Sequence, residues 1–149
     1  MSKKRVLVVD DNPDILRMLE LLLSDKYEVM AAADGMAGLE KAYKYLPDLV
    51  ILDIMMPKMS GYQMVDSMKK HAKMQSIPVI FLSAKGTPVE KDFGLKKGAT
   101  IYITKPFDPT ELQQNVEMLL KFGAVEHKER PELDKVVSEE AAKKDVEWK

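Results

Sequence analysis

Five short apolar runs, rich in β-branched residues, recur along the chain at residues 6–9, 27–30, 49–52, 79–82 and 101–103. Four of them are apolar almost without interruption, as expected of strands covered on both faces, where no side chain alternates toward water. Between the runs the apolar residues recur at the 3.6-residue helical period. Asn12-Pro13 supplies an N-cap and a proline at the first helical position, and Ile15, Leu19, Leu22 and Leu23 then share one face. Ser60 with Gln63, Thr87 with Glu90 and Asp108 with Glu111 have capping-box or related spacing, and Pro88 and Pro109 again fall at the first position. A further helix is expected over residues 34–45, stopped by Pro47.

Strand and helix therefore alternate five times, the pattern of an α/β fold with a parallel sheet. Right-handed crossovers and short connections favour a doubly wound (βα)5 arrangement, and the flavodoxin-like strand order 2-1-3-4-5 suits five units. The first and third strands are then neighbours. Ligands of such sheets bind beyond the carboxyl ends of the strands, beside the first one.

Composition narrows the classes. A chain of 149 residues accommodates one domain, taken here as residues 1–122, with a charged C-terminal extension over 123–149. Hydrophobic residues at 46% and charged residues at 32% allow both a core and a solvated surface. The net charge of −1 gives no general attraction to nucleic acid or anionic lipid, so proteins are the expected partners, with no direct nucleic acid and no membrane. The chain has no cysteine, which removes disulfides and thiolate chemistry and is compatible with the cytoplasm. The first apolar run stops at Asp10, too early for a signal peptide. The segment beyond Phe122 is too short for an output domain and more acidic than basic, which favours a stand-alone unit acting through protein contacts. Within it, Pro131 and the Glu139–Lys143 and Glu140–Lys144 pairs point to a short helix that docks on the domain or a partner through Leu133, Val137, Ala141 and Trp148, against the alternative of a solvated, largely disordered tail.

The expected topology converges chemistry on one rim. Asp10 and Asp11 follow the first strand, Asp53 the third, Ser83 the fourth, and Lys105-Pro106 the fifth. Three crowded carboxylates repel one another by roughly 4 kcal/mol per pair at 4 Å and an effective dielectric near 20. A cation is required. Lys105 offsets part of the charge, and hard oxygen ligands with room for water describe a Mg²⁺ site. Such a crevice can neutralise a phosphoryl group in transfer, where catalysis is mostly positioning and charge stabilisation. An aspartate can act as the nucleophile, since its carboxylate needs no general base.

These residues carry a family resemblance: the sequence resembles a response regulator receiver domain of bacterial two-component signalling, the CheY-like family. The matching segments are Asp10-Asp11, Leu52-Asp53-Ile54-Met55-Met56-Pro57, Ser60-Gly61, Ser83-Ala84 and Lys105-Pro106-Phe107, across about residues 4–122. The resemblance implies that Asp10 and Asp11 hold Mg²⁺ directly or through water, with Asp53 and the Met55 backbone carbonyl completing the protein's share of the shell. It implies that Asp53 accepts phosphate from a histidine kinase or histidine phosphotransfer protein, and that Ser83 and Lys105 contact the phosphoryl oxygens. Ser83 and Tyr102 fall at the family's switch positions, which couple phosphorylation to a surface read by a downstream protein target. Met55 and Lys85 flank the approach of water to phosphorus, and neither can orient it, which implies slow autodephosphorylation. The sequence departs from many members in having Thr100 and Ile101, not an acidic pair, before Tyr102, which leaves dimerisation through that face in doubt.

Each residue alone has a plainer reading. Asp10-Asp11 could simply favour a helix N-terminus, Asp53 could be a turn aspartate, Ser83 a loop hydroxyl, Lys105-Pro106 a solvated turn and Tyr102 a half-buried strand residue. Their joint occurrence on strand ends outweighs those readings. Met55-Met56 and Met64-Met68 read as core filler, and the isolated His71 and His127 do not suggest a metal site. Two other functions compete: an aspartate-nucleophile phosphatase, whose usual aspartate pair two residues apart Asp10-Asp11-Asn12 lacks, and a non-phosphorylated interaction module on the same scaffold. A dinucleotide site is weaker, since no Gly-x-Gly-x-x-Gly comes after the first strand.

Overall fold

The computed structural model describes residues 3–122 and Arg130. Strands β1 (Arg5–Val9), β2 (Glu28–Ala32), β3 (Leu49–Leu52), β4 (Val79–Ser83) and β5 (Ile101–Thr104) alternate with helices α1 (Pro13–Leu23), α2 (Gly35–Tyr45), α3 (Gly61–Lys69), α4 (Pro88–Lys96) and α5 (Pro109–Phe122). The sheet is parallel throughout, in the order β2-β1-β3-β4-β5, as the pattern predicts.

Successive strand residues point to opposite faces, and each face builds its own core. Leu7, Val9, Val50, Leu52 and Phe81 pack with Ala42 of α2 and Met64, Val65 and Met68 of α3. Val6, Val8, Leu49, Ile51, Ile80 and Leu82 pack with Leu19 and Leu23 of α1 and Leu112, Val116, Leu119 and Leu120 of α5. Burial on both sides explains why the strands read as unbroken apolar runs. Asn12 accepts from the Asp14 N–H, Thr87 from Glu90, and Ser60 forms the full reciprocal box with Gln63, all as expected, whereas Asp108 accepts the Thr110 N–H in place of the expected pairing with Glu111. Asp34 caps α2, and Leu46, in the left-handed region at φ 46°, ends it before Pro47.

Two expectations shift. β2 runs from Glu28 to Ala32, beyond the expected 27–30, because the Tyr27 N–H closes the turn onto the Leu23 carbonyl while Ala31 and Ala32 pair with Val8 and Val9. Met64 and Met68 are core residues, but Met55 is 61% exposed. It lies in the loop after β3, where its backbone serves Asp53 and its side chain faces water. The helix and docking expected within 131–149 lie outside the described residues, as does His127. Among the described residues, no helix is long and apolar enough to cross a membrane.

Candidate functional site

The carboxyl ends of β1 and β3 are adjacent because these strands pair directly, with Val9 opposite Leu52. The next residues along each strand, Asp10 and Asp53, are thereby set side by side. The Asp53 N–H donates to the Val9 carbonyl at 3.0 Å, and the Asp10 N–H to Ala32 at 3.2 Å, so both backbones are held by the ladder before the side chains are counted. Asp10, Asp11 and Asp53 each offer a carboxylate oxygen within 4.8 Å of the others. Asp10 and Asp53 are buried, whereas Asp11 is exposed at the mouth.

Lys105 reaches this cluster from the end of β5. Its Nζ lies 2.8 Å from Asp10 Oδ2 and 3.6 Å from Asp53 Oδ2, bridging the two buried carboxylates. Its own N–H donates to the Ser83 carbonyl at 2.7 Å, and the Lys105–Pro106 peptide is cis. Burial pushes the Asp53 carboxyl above its ordinary value. Lys105 and the N–H groups of Ile54 and Met55 oppose that rise, and the Asp10 charge adds to it.

Local backbone explains the shape of the rim. The Gly61 N–H donates to the Ile54 carbonyl at 2.8 Å, closing the loop that leaves Asp53. A Cβ at Gly61 would stand 2.4 Å from the Asp53 carbonyl oxygen, so only glycine permits this approach. Ser83 is fully buried at the end of β4, and its Oγ accepts the Lys85 N–H at 3.2 Å. The Lys85 carbonyl in turn accepts the Tyr102 hydroxyl at 2.6 Å. One loop residue therefore touches both expected switch side chains. Tyr102 lies on β5 with its ring against α4 at Gly94, where a Cβ would approach Cδ2 to 2.5 Å.

The structure thus brings Asp10, Asp11, Asp53 and Lys105 into one crevice, with the Met55 N–H on Asp53. Ser83 and Tyr102 are linked to the same rim through Lys85. Sequence reasoning misses this use of the Lys85 backbone, which has no residue-type signal. It also misses the Asn12 N–H, which donates to Asp10 Oδ1 at 2.9 Å as the consequence of the turn into α1. Three carboxylates facing one ammonium leave an excess of negative charge among hard oxygen donors, the donor set that suits Mg²⁺.

The chain is also similar to known proteins. The model of the response regulator receiver domain matches residues 6–117. A probable transcriptional regulator, ycf27, of Cyanophora paradoxa is 43% identical over 122 residues, which are 81% of this chain and 50% of that protein. The chain spans about half the length, or less, of the curated relatives it matches first. Among solved structures, the Vibrio cholerae chemotaxis protein CheY4 superimposes with a TM-score of 0.75 at 35% identity, covering 80% of this chain and 100% of that one. A putative response regulator from Chloroflexus aurantiacus gives a TM-score of 0.76 at 36% identity, covering 80% and 99%.

Proposed function

The chain belongs to the response regulator receiver family, and from that membership we propose that it is a phosphoacceptor whose Asp53 is phosphorylated with the help of Mg²⁺. The observation that carries this reading is the Lys105 ammonium bridging buried Asp10 and Asp53 beside Asp11. Asp10, Asp11, Asp53 and the Met55 carbonyl would hold the metal. Bound there, Mg²⁺ would supply the positive charge that a phosphoryl group in transfer needs.

An Asp53 carboxylate oxygen attacks phosphorus, and the bond from phosphorus to the donor's imidazole nitrogen breaks. The imidazole leaves and regains a proton from solvent. Lys105 moves its charge from the carboxylates toward the phosphoryl oxygens, and Ser83 turns its hydroxyl to one of them. That turn gives up the hydrogen bond from Lys85, loosening the loop on which the Tyr102 hydroxyl rests. Tyr102 then rearranges against α4, altering the α4, β5 and α5 surface offered to a downstream protein. The phosphate donor is a histidine kinase or histidine phosphotransfer protein, the setting is the cytoplasm, and the receiver unit is residues 1–122 with 123–149 as its charged extension.

Intact-mass analysis after incubation with Mg²⁺ and a small acyl phosphate tests the assignment. One phosphoryl adduct is expected on the natural chain and none on Asp53→Asn. An equal adduct on the variant overturns the choice of Asp53, and sustained turnover of a phosphate monoester supports the phosphatase instead.

A further inference from the structure

We propose that the base of the sheet, at the amino ends of the strands, is the docking site of Arg130, which anchors the chain there beyond the end of α5. Helix α2 ends at this base, and its last carbonyls lie at the negative pole of the helix. Two guanidinium groups occupy them: the Tyr45 carbonyl accepts from Arg5 Nη1 at 2.8 Å, and the Leu46 carbonyl accepts from Arg130 Nη1 at 2.8 Å. The left-handed conformation of Leu46, forced where α2 must stop before Pro47, accompanies this turn of the chain.

Asp48 supplies the charge. Its Oδ2 accepts the Arg5 N–H at 2.8 Å, and its Oδ1 pairs with Arg130 Nη1 at 3.2 Å. The side chains of Arg130 and Asp48 are only 16% and 2% exposed, which takes the pair out of the class of solvated ion pairs that contribute nothing. A carboxylate so withdrawn from water requires charged or hydrogen-bonding partners, and Arg130 brings one from beyond the end of α5. Reach is no obstacle. α5 runs back along the sheet and ends at Phe122 at this same end, and eight extended residues cover about 27 Å.

The arrangement gives Arg130 a fixed place. It is held at the end of β3 opposite Asp53, away from the crevice that a phosphodonor must enter. Arg5, which shares Asp48 with Arg130, lies at the start of β1, so the anchor ties together the bases of the two strands that carry Asp10 and Asp53.

Hydrogen exchange and thermal unfolding of the full chain test the proposal, with Arg130→Ala, Arg130→Lys, Asp48→Asn and the Asp48→Asn/Arg130→Ala pair. Arg130→Ala is expected to speed exchange of the amides of Leu46, Asp48 and Leu49 by about 5–30-fold and lower the melting temperature by roughly 2–6 °C. Arg130→Lys, lacking the fork, recovers only part of both. In the Asp48→Asn background the added Arg130→Ala change has a much smaller effect, the signature of direct coupling. Unchanged exchange and melting in Arg130→Ala overturn the anchor. Loss that depends on protein concentration, together with a dimeric mass, assigns Arg130 to a second copy and overturns docking within the chain.

Discussion

Asp48 and Asp53 bracket the same four-residue strand, β3, and are 4% and 8% exposed. Type, strand and burial are shared, yet their surroundings are opposite in sense. At the base, Asp48 meets a backbone N–H and a guanidinium, with Arg5 and Arg130 both donating to it. At the top, Asp53 meets two other carboxylates and shares one ammonium with Asp10, and burial raises its proton affinity. Burial alone does not make a carboxylate reactive. What distinguishes the top is the negative charge that its neighbours leave in excess, which the proposed cation and phosphoryl group would engage.

The base should respond most strongly to removal of its carboxylate. Asp48→Ala takes the carboxylate from both the Arg5 N–H and the Arg130 guanidinium, which keeps only its bond to the Leu46 carbonyl among those described, and a loss of about 3 kcal/mol is expected in urea unfolding. A loss below roughly 0.5 kcal/mol would mean that water satisfies these groups as well as Asp48 does, and the contrast between the two ends would disappear.

A second prediction concerns how open the top is. On the phosphoacceptor reading proposed above, Met55, 61% exposed, and Lys85 would flank the route by which water reaches phosphorus on Asp53, and neither side chain accepts a hydrogen bond from that water. Slow autodephosphorylation is expected, and Met55→Asn with Lys85→Glu should speed phosphate release about tenfold, equivalent to roughly 1.4 kcal/mol of barrier. Unchanged or slower release, tracked with radiolabelled phosphate, would show that these positions do not control water.

The two ends also differ in how far they can be read from sequence. The top is legible because its chemistry sits directly after recognisable strands: Asp10, Asp53, Ser83 and Lys105 each come at or just past the end of an apolar run, and parallel topology gathers such positions on one rim. The capping residues are legible for the same local reason, down to the Ser60–Gln63 box. The base is not. Asp48 before β3 and Arg130 beyond α5 carry no spacing that links them, and their contact exists only once α2, β3 and α5 are assembled. Met55 misleads because periodicity does not tell a buried methionine from one in a loop whose backbone alone is used. The late end of β2 escapes notice because alanine has little strand preference of its own, and Ala31 and Ala32 extend the strand through pairing with β1.

The smallest effect separates the two aspartates by sign. Asn at position 53 keeps the shape of the side chain and an oxygen for the Ile54 and Met55 N–H groups, but removes the charge that burial and Asp10 oppose. The folded chain binds the Asp53 proton more tightly than the unfolded chain does. Stability from this group is therefore present at low pH and declines as pH rises from the unfolded value through the raised folded one. Asp53→Asn escapes that decline. Without Mg²⁺ at neutral pH it should melt about 2–4 °C above the natural chain, and the gap should close as pH falls through the raised Asp53 value. Added Mg²⁺ stabilises whichever chain binds it, so the natural protein should gain more than the variant and narrow or reverse the gap. If Asp53→Asn instead melts below the natural chain at every pH and gains equally from Mg²⁺, then Asp53 is a satisfied carboxylate like Asp48. The difference between the two ends of β3 would then lie in access alone.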